Sequence, residues 1–349
     1  MDAIAKPVGI DTERVTEWFA ANVPAVAPPL RFDLVAGGRS NLTYRVRDST
    51  GRLVALRRPP AGHVLPTAHD MAREHRILSA LAPTAVPVPA PLGLCEDPSV
   101  SGAPFYVMEH VDGLVLRDAD MAAEALDPSA RPAVGAHLAE TLAALHAVDA
   151  DAVGLGDLAR RDGYVERQVH RWMRQFAETK AAGVDRPGAV EAVGEALAAR
   201  VPAQQATSVV HGDYRLDNAV LHPDGTVAAV LDWELCTLGD PLADVGAFLD
   251  SWGLPPDGEP ILGRVPASAL PGFSSSDDVL ERYAVASGRD VSGVRYFMAF
   301  GYWRLACILQ GVYARYRAGA GAGDPSSVEH IPATVARLAE LAQDTLSHQ

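Results

Sequence analysis

Residues 208–252, SVVHGDYRLDNAVLHPDGTVAAVLDWELCTLGDPLADVGAFLDSW, concentrate side chains that handle protons and hard cations. His211, Asp213 and Asn218 stand in an H-x-D-x-x-x-x-N spacing behind the apolar pair Val209-Val210, and the apolar run 227–231 leads directly to Asp232. This pattern predicts two short strands that bring three such side chains to one place. Moving a phosphoryl group off a nucleotide requires a carboxylate to accept the attacking hydroxyl's proton, and oxygen ligands to hold Mg²⁺ on the phosphates. Asp213 suits the first task, and Asn218 and Asp232 are oxygen donors of the kind a hard cation selects. Each acidic residue alone is better explained as a solvated loop carboxylate or turn residue. The joint spacing weighs against that, because it arises by chance in roughly one chain of this length in a hundred.

HGDYRLDN followed by VLDWE and LGDPLADVG resembles the catalytic core of the aminoglycoside phosphotransferase-like kinases, relatives of the protein kinases. Within that family the chain is similar to the phosphotransferase domain fused to some acyl-CoA dehydrogenases. The resemblance implies an α+β, bilobal, protein-kinase-like fold. A small antiparallel-sheet lobe over residues 1–112 would bind the nucleotide, and a larger, mainly helical lobe over residues 113–349 would carry the catalytic stretch and the substrate. It also implies ATP, with GTP as the alternative nucleotide, together with Mg²⁺ and a hydroxyl-bearing small molecule.

The elements upstream of the catalytic stretch follow the order such a nucleotide site needs. Residues 11–22 have a capping Asp11 or Thr12 and apolar Val15, Trp18 and Phe19 at helical spacing. RFDLVAGGRSNLTYRVRD then alternates apolar and polar residues on either side of Gly37-Gly38, which predicts strand, tight turn, strand. Such a turn can cradle an anion on its free N–H groups, and the residues alone leave a plain hairpin equally open. By resemblance, Gly37, Gly38, Ser40 and Asn41 cover the nucleotide phosphates. LVALRRPP forms the next strand and ends in Arg57 where kinases carry a phosphate-binding Lys. Arg keeps the charge and can bind phosphate in a bidentate way, and Arg58 is the alternative at this place. A helix over 67–81 follows, with Glu74 as the expected partner of Arg57 and an exposed surface glutamate as the plain alternative. A strand pair then ends at Glu109-His110-Val111, where the resemblance places the adenine-reading main chain of Glu109 and Val111.

Beyond residue 113 helical patterns dominate. Apolar positions recur through 131–155, and 162–180 forms a second long helix with Arg167 and Trp172 as substrate-side candidates by resemblance. His211 and His146 are expected to be structural. Arg215 is a candidate to touch the γ-phosphate, with an ordinary loop residue as the favoured alternative. Asp244, near the start of a helix, is expected to brace the catalytic loop through backbone N–H groups rather than take part in chemistry. Residues 253–279, rich in Gly, Pro and Ser, are expected to form a loop bordering the acceptor. Tyr296, Arg304 and Arg315, on a later helix, reach toward it or serve the core.

Composition narrows the partners. The 349 residues carry a formal net charge of −14, which argues against nucleic acid, whose phosphates call for a basic footprint. Residues 1–112 hold 11 Lys+Arg against 12 Asp+Glu, so nearly all of the excess falls after them. No apolar run approaches the length of a membrane span, and the N-terminus lacks the pattern of a signal peptide, so a cytoplasmic protein without membrane partners is expected. The three cysteines are widely spaced and suggest buried free thiols. The residues and the resemblance together point to an ATP- and Mg²⁺-dependent small-molecule kinase acting on a hydroxyl, with a hydroxyacyl thioester or related metabolite as acceptor. The acidic second part leaves a polycationic aminoglycoside open, and Arg57 in place of Lys leaves a nucleotide-binding pseudokinase open.

Overall fold

The computed structural model describes residues 7–37, 41–60, 70–179, 183–185, 187–319 and 325–348. In chain order the elements are α1 (Thr12–Asn22), β1 (Arg31–Gly37), β2 (Leu42–Arg47), β3 (Leu53–Arg58), α2 (Met71–Leu81), β4 (Pro91–Cys95), α3 (Pro98–Ser101) and β5 (Phe105–Glu109). They are followed by α4 (Ala119–Ala125), α5 (Arg131–His146), α6 (Tyr164–Glu178), α7 (Gly188–Ala199), β6 (Ser208–Val210), β7 (Ala219–Leu221), β8 (Val227–Val230) and β9 (Thr237–Gly239). The last four are α8 (Pro241–Asp250), α9 (Ser276–Ser287), α10 (Val294–Arg317) and α11 (Ile331–Ser347). Met1–Gly113 with Ala228–Glu234 form one compact unit, and Leu114–Val227 with Leu235–Gln349 form another.

The first unit is built on a five-stranded sheet of order β1-β2-β3-β5-β4 with antiparallel neighbours throughout. Alternation in β2 turns Leu42, Tyr44 and Val46 inward, where they meet Val54 and Leu56 of β3 and Phe105 and Val107 of β5. α1 is capped by Asp11, which accepts from the Arg14 amide, and it covers this core with Val15 and Phe19. Its Trp18 packs edge-to-face on Phe105 with ring centres 4.8 Å apart, an arrangement worth about 0.5–1.5 kcal/mol beyond the area it buries. α2 begins at Met71 rather than at 67 because Asp70 caps it through the Arg73 amide; residues 67–69 lie outside the described residues. Its buried face reads Met71, Glu74, Ile77, Leu78 and Leu81, so one carboxylate sits among four apolar side chains.

The second unit is a helical assembly. The 24-residue α10 packs against α8 and α11, and its Trp303 and Tyr296 donate to the Val190 and Leu197 carbonyls of α7. Gly246 of α8 lets that helix approach α10 closely, since a Cβ there would stand 2.5 Å from the Phe297 carbonyl carbon. α5 stops at His146 instead of continuing to 155. Asp149 accepts from the amides of Asp151 and Ala152, and these local bonds turn the chain out of the helix. Residues 253–275 are largely irregular apart from one short turn at Ala267–Ala269, and a Ser275/Asp278 capping box starts α9. All three cysteines are buried free thiols, and among the described residues no helix is long and apolar enough to cross a membrane.

Candidate active site

In the first unit, β3 places Arg57 opposite Thr43 of β2 and Tyr106 of β5. Its Nε lies 3.0 Å from Glu74 Oε2, and its Nη2 lies 2.5 Å from Asp232 Oδ1 and 3.6 Å from Glu234 Oε2. Glu74 is itself held twice more, because Tyr106 donates its hydroxyl to Oε2 (3.0 Å) and Asn41 donates Nδ2 to Oε1 (3.2 Å). Asn41 Nδ2 also reaches Glu234 Oε2 at 3.0 Å. One guanidinium is therefore shared among three carboxylates. Burial works against the Arg57 charge, but Glu74, Tyr106, Asp232 and Glu234 outweigh it and hold the guanidinium above its ordinary range. Burial raises the Glu74 carboxyl, and the neighbouring Arg57 offsets only part of that rise. Asp232 has φ 65°, the one positive φ at a non-glycine among the described residues, so the backbone is held in an uncommon conformation where the chain delivers this carboxylate.

The other nucleotide-side candidates distribute as follows. Arg58 faces away from Arg57, as successive strand residues must. It is buried and donates to the Ser101 carbonyl (2.9 Å) and the Pro59 carbonyl (3.1 Å), so it does not share Arg57's place. Gly37 ends β1 opposite Leu42, whereas Gly38 and Ser40 lie outside the described residues. Glu109 ends β5 with an exposed side chain, its amide donating to the Ala90 carbonyl (2.8 Å), and half-buried Val111 follows beyond the sheet. Sequence reasoning assigned no part to Glu234 or Tyr106. Glu234 stands two residues beyond Asp232 in the VLDWE string, and that proximity was the available signal.

In the second unit β6 pairs antiparallel with β9 and feeds the loop that carries Asp213. Gly212 turns the chain at φ +85°, where a Cβ would lie 2.7 Å from the Leu235 carbonyl oxygen, so both conformation and space call for glycine. Asp244 of α8 accepts from the His211 amide (2.6 Å) and the Gly212 amide (2.8 Å), the bracing expected of it. Burial opposes ionisation of Asp244, yet its hydrogen bonds to His146 and the backbone keep its carboxyl below the ordinary range. Burial likewise lowers the His146 imidazole, whose Nδ1 pairs with the Tyr283 hydroxyl at 2.8 Å. His211 is fully buried and its Nδ1 accepts from the Asp213 amide (3.2 Å), so it shapes the loop. Asp213 emerges part-exposed. Asn218 Nδ2 donates to both its carbonyl oxygen and its Oδ2, each at 2.9 Å. Arg215 Nε stands 3.7 Å from the same Oδ2, while its Nη2 pairs with Asp217 at 2.6 Å.

The structure thus brings Arg57, Glu74, Asn41 and Asp232 together in the first unit, and Asp213 with Asn218 in the second. Among the described residues no group of three or more His, Cys, Asp or Glu forms a ready cage for a metal ion. Mg²⁺ does not require one, since it is usually held by one or two carboxylates with water and substrate phosphates. The donor chemistry fits such an ion. The Asn218 contacts are all made by Nδ2, which leaves Oδ1 as its donor, and the Asp232 contact to Arg57 uses Oδ1 and leaves Oδ2.

Comparison with known proteins gives this arrangement its context. The chain is 37% identical over 318 residues to acyl-CoA dehydrogenase family member 10 of Mus musculus, covering 90% of this chain and 29% of that protein. It spans less than half the length of the curated relatives it matches. A crystal structure from Ralstonia eutropha JMP134, provisionally named an aminoglycoside phosphotransferase, superposes with a TM-score of 0.81 at 33% identity, covering 97% of this chain and 98% of that one. A mutant of the aminoglycoside phosphotransferase APH(4)-Ia, solved as a ternary complex with ADP and hygromycin B, shares the fold at 15% identity and a TM-score of 0.61, covering 97% of this chain and 98% of that one. The fold is protein-kinase-like. The model of the phosphotransferase enzyme family matches residues 31–277, so the chain belongs to that family and is a phosphotransferase.

Proposed function

We propose that the chain transfers the γ-phosphate of ATP, with Mg²⁺, to the hydroxyl of a small molecule, a hydroxyacyl thioester or related metabolite. The acceptor class follows from the kinship with acyl-CoA dehydrogenase family members. The observation that carries the reading is the setting of Asp213. Asn218 and Arg215 occupy its Oδ2 side, Asp244 and Gly212 fix the loop beneath it, and Oδ1 is left to take a proton. In this reading Asp213 Oδ1 accepts the hydroxyl proton as the oxygen attacks phosphorus. Arg57, oriented by Glu74, provides fixed positive charge for the phosphates, with Gly37, Gly38, Ser40 and Asn41 around them and the main chain of Glu109 and Val111 beside the base. Asn218 Oδ1 and Asp232 Oδ2 would hold Mg²⁺, which when bound neutralises phosphate charge. In this reading the first unit, which takes in Ala228–Glu234 besides the first 112 residues, is the nucleotide lobe, and the second unit is the catalytic lobe.

The test is nucleotide consumption with and without Mg²⁺, using ATP and GTP separately, across hydroxy acids, hydroxyacyl thioesters and aminoglycosides, with Asp213→Asn in parallel. Metal-dependent turnover of at least one thioester or hydroxy acid is expected, together with a loss of about 10²- to 10⁴-fold in the variant and retained nucleotide binding. Turnover by Asp213→Asn at the unaltered rate would remove the assignment.

A further inference from the structure

We infer that the acceptor is anionic and that Arg304 of α10 is the residue that anchors its negative group beside the catalytic loop. This rests on the reading of Asp213 as the place where the acceptor hydroxyl is deprotonated. Arg304 Nη2 lies 3.4 Å from the carbonyl oxygen of Gly212, the residue immediately before Asp213. That long contact is a weak hydrogen bond to a neutral group. Among the described residues no carboxylate stands within ion-pair distance of this half-buried guanidinium.

The carboxylates that act with Arg304 on Tyr164 are committed elsewhere. Both oxygens of Asp244 accept backbone amides, from His211 and Gly212. Asp240 caps α8 through the Leu242 amide. The Asp250 carboxyl is enclosed; burial pushes it well above the usual range, and the Arg304 charge opposes that rise. Arg171 of α6 joins Arg304 in acting on Tyr164: burial raises that phenol to about 12, and the two guanidiniums oppose the rise. Asp244 and Asp240 act on the same phenol in the opposite sense, so the two cations there are set against two carboxylates that already hold backbone amides. A half-buried guanidinium whose hydrogen bond to Gly212 is long and goes to a neutral carbonyl keeps donors to spare, and a carboxylate or phosphate on the incoming molecule would engage them in the fork geometry that Arg favours. A polycationic aminoglycoside would meet like charge at the same place.

The experiment measures binding and turnover of four acceptors by the full chain with Mg·ATP: 3-hydroxybutyrate, its coenzyme A thioester, its neutral methyl ester, and kanamycin. Unaltered protein, Arg304→Gln and Arg304→Lys are compared, and ADP binding to each variant checks that it is folded. The anionic pair should bind in preference to the ester and kanamycin. Arg304→Gln should raise KM for the anionic acceptors about 10- to 100-fold without moving KM for ATP, and Arg304→Lys should restore part of the loss. Preference for kanamycin or the ester, no binding of either anionic member, equal KM in Arg304→Gln, or a rise confined to KM for ATP would each overturn the assignment. Metal-dependent ATP turnover on kanamycin would still uphold the phosphotransferase chemistry, whereas its absence on all four acceptors would count against the proposed function as well.

Discussion

Removing Arg57 should expose how far the first unit depends on charge balance. In Arg57→Met the aliphatic bulk stays, but Glu74, whose side chain is 2% exposed, loses its guanidinium while remaining enclosed by Ile77, Leu78 and Tyr106. Breaking a buried pair from one side typically costs about 3–5 kcal/mol, because the other charge is left uncompensated. Asp232 and Glu234 are more exposed and add less. Glu74→Gln on the same background removes the stranded charge while keeping an acceptor for Tyr106, so the double variant should recover to within about 1–2 kcal/mol of the parent. Because the chain comprises two units, a single global transition is a poor measure, and native-state hydrogen exchange read on peptides from α2 and β3 gives the local free energy directly.

The pH dependence has a definite sign. Without Arg57 the Glu74 carboxyl rises further, so the folded variant retains a proton that the unfolded chain releases near the ordinary value of about 4.3. The folded state then binds more protons than the unfolded one, and stability falls as pH rises from that value until the raised folded value is passed. Arg57→Met should therefore lie closest to the parent below about pH 4.3 and diverge by up to about 1.4 kcal/mol per pH unit within the window. A loss under about 1 kcal/mol at pH 8, or a double variant no more protected than the single one, would refute the reasoning.

Three further outcomes are expected. Asp232→Ala should raise the Mg²⁺ concentration needed for half-maximal turnover, and an unchanged metal titration would exclude it as a ligand. Asp244→Ala strands the His211 and Gly212 amides and should cost about 2–4 kcal/mol of local stability, read by native-state hydrogen exchange on peptides from β6 and α8. Since the Asp244 carboxyl is held low in the folded state, its contribution is complete above the ordinary carboxylate range and is lost as pH falls through the folded value, so parent and variant should converge in acid; parallel pH curves would contradict this. Gly246→Ala forces α8 away from α10 and should cost about 1–3 kcal/mol, with hydrogen-exchange protection of α8 and α10 peptides equal to the parent's arguing against that packing.

The parts that were legible in the sequence are those where chemistry and element order coincide. The Arg57–Glu74 pair could be anticipated because a charged strand end is followed by a helix with a carboxylate in its apolar stripe. Asp244 could be placed because a turn and a cap precede it. Other features depend on neighbours far along the chain. Arg57 and Arg58 obviously alternate, but which of them faces Glu74 is fixed only once β5 pairs with β3 and sets Tyr106 beside Arg57. α7, GAVEAVGEALAA, carries too little polar contrast to show a buried face, and its Gly194 is spaced by the Trp303 ring from α10. Glu234 reads as an ordinary surface acid until Asn41 and Arg57 reach it.

The same cluster explains why an arginine can occupy a place where kinases carry lysine. A lysine presents a single ammonium on a flexible stem, whereas the guanidinium presents separate donors at fixed angles. Arg57 uses Nε toward Glu74 and Nη2 toward Asp232, so two carboxylates delivered by α2 and by the segment after β8 are held by different edges of one rigid group. Arg57→Lys conserves charge but has one nitrogen for both tasks, so one contact must lengthen. The structure favours loss at Asp232, because Glu74 is the more deeply buried and leaving it unpaired costs more. Departure from lysine is therefore compensated within the same unit by Glu234, an ion-pair partner of Arg57, and by Asn41, which hydrogen-bonds both Glu74 and Glu234. A group so firmly oriented suits a site that must present charge in one direction, which is the requirement of phosphoryl transfer rather than of a surface ion pair.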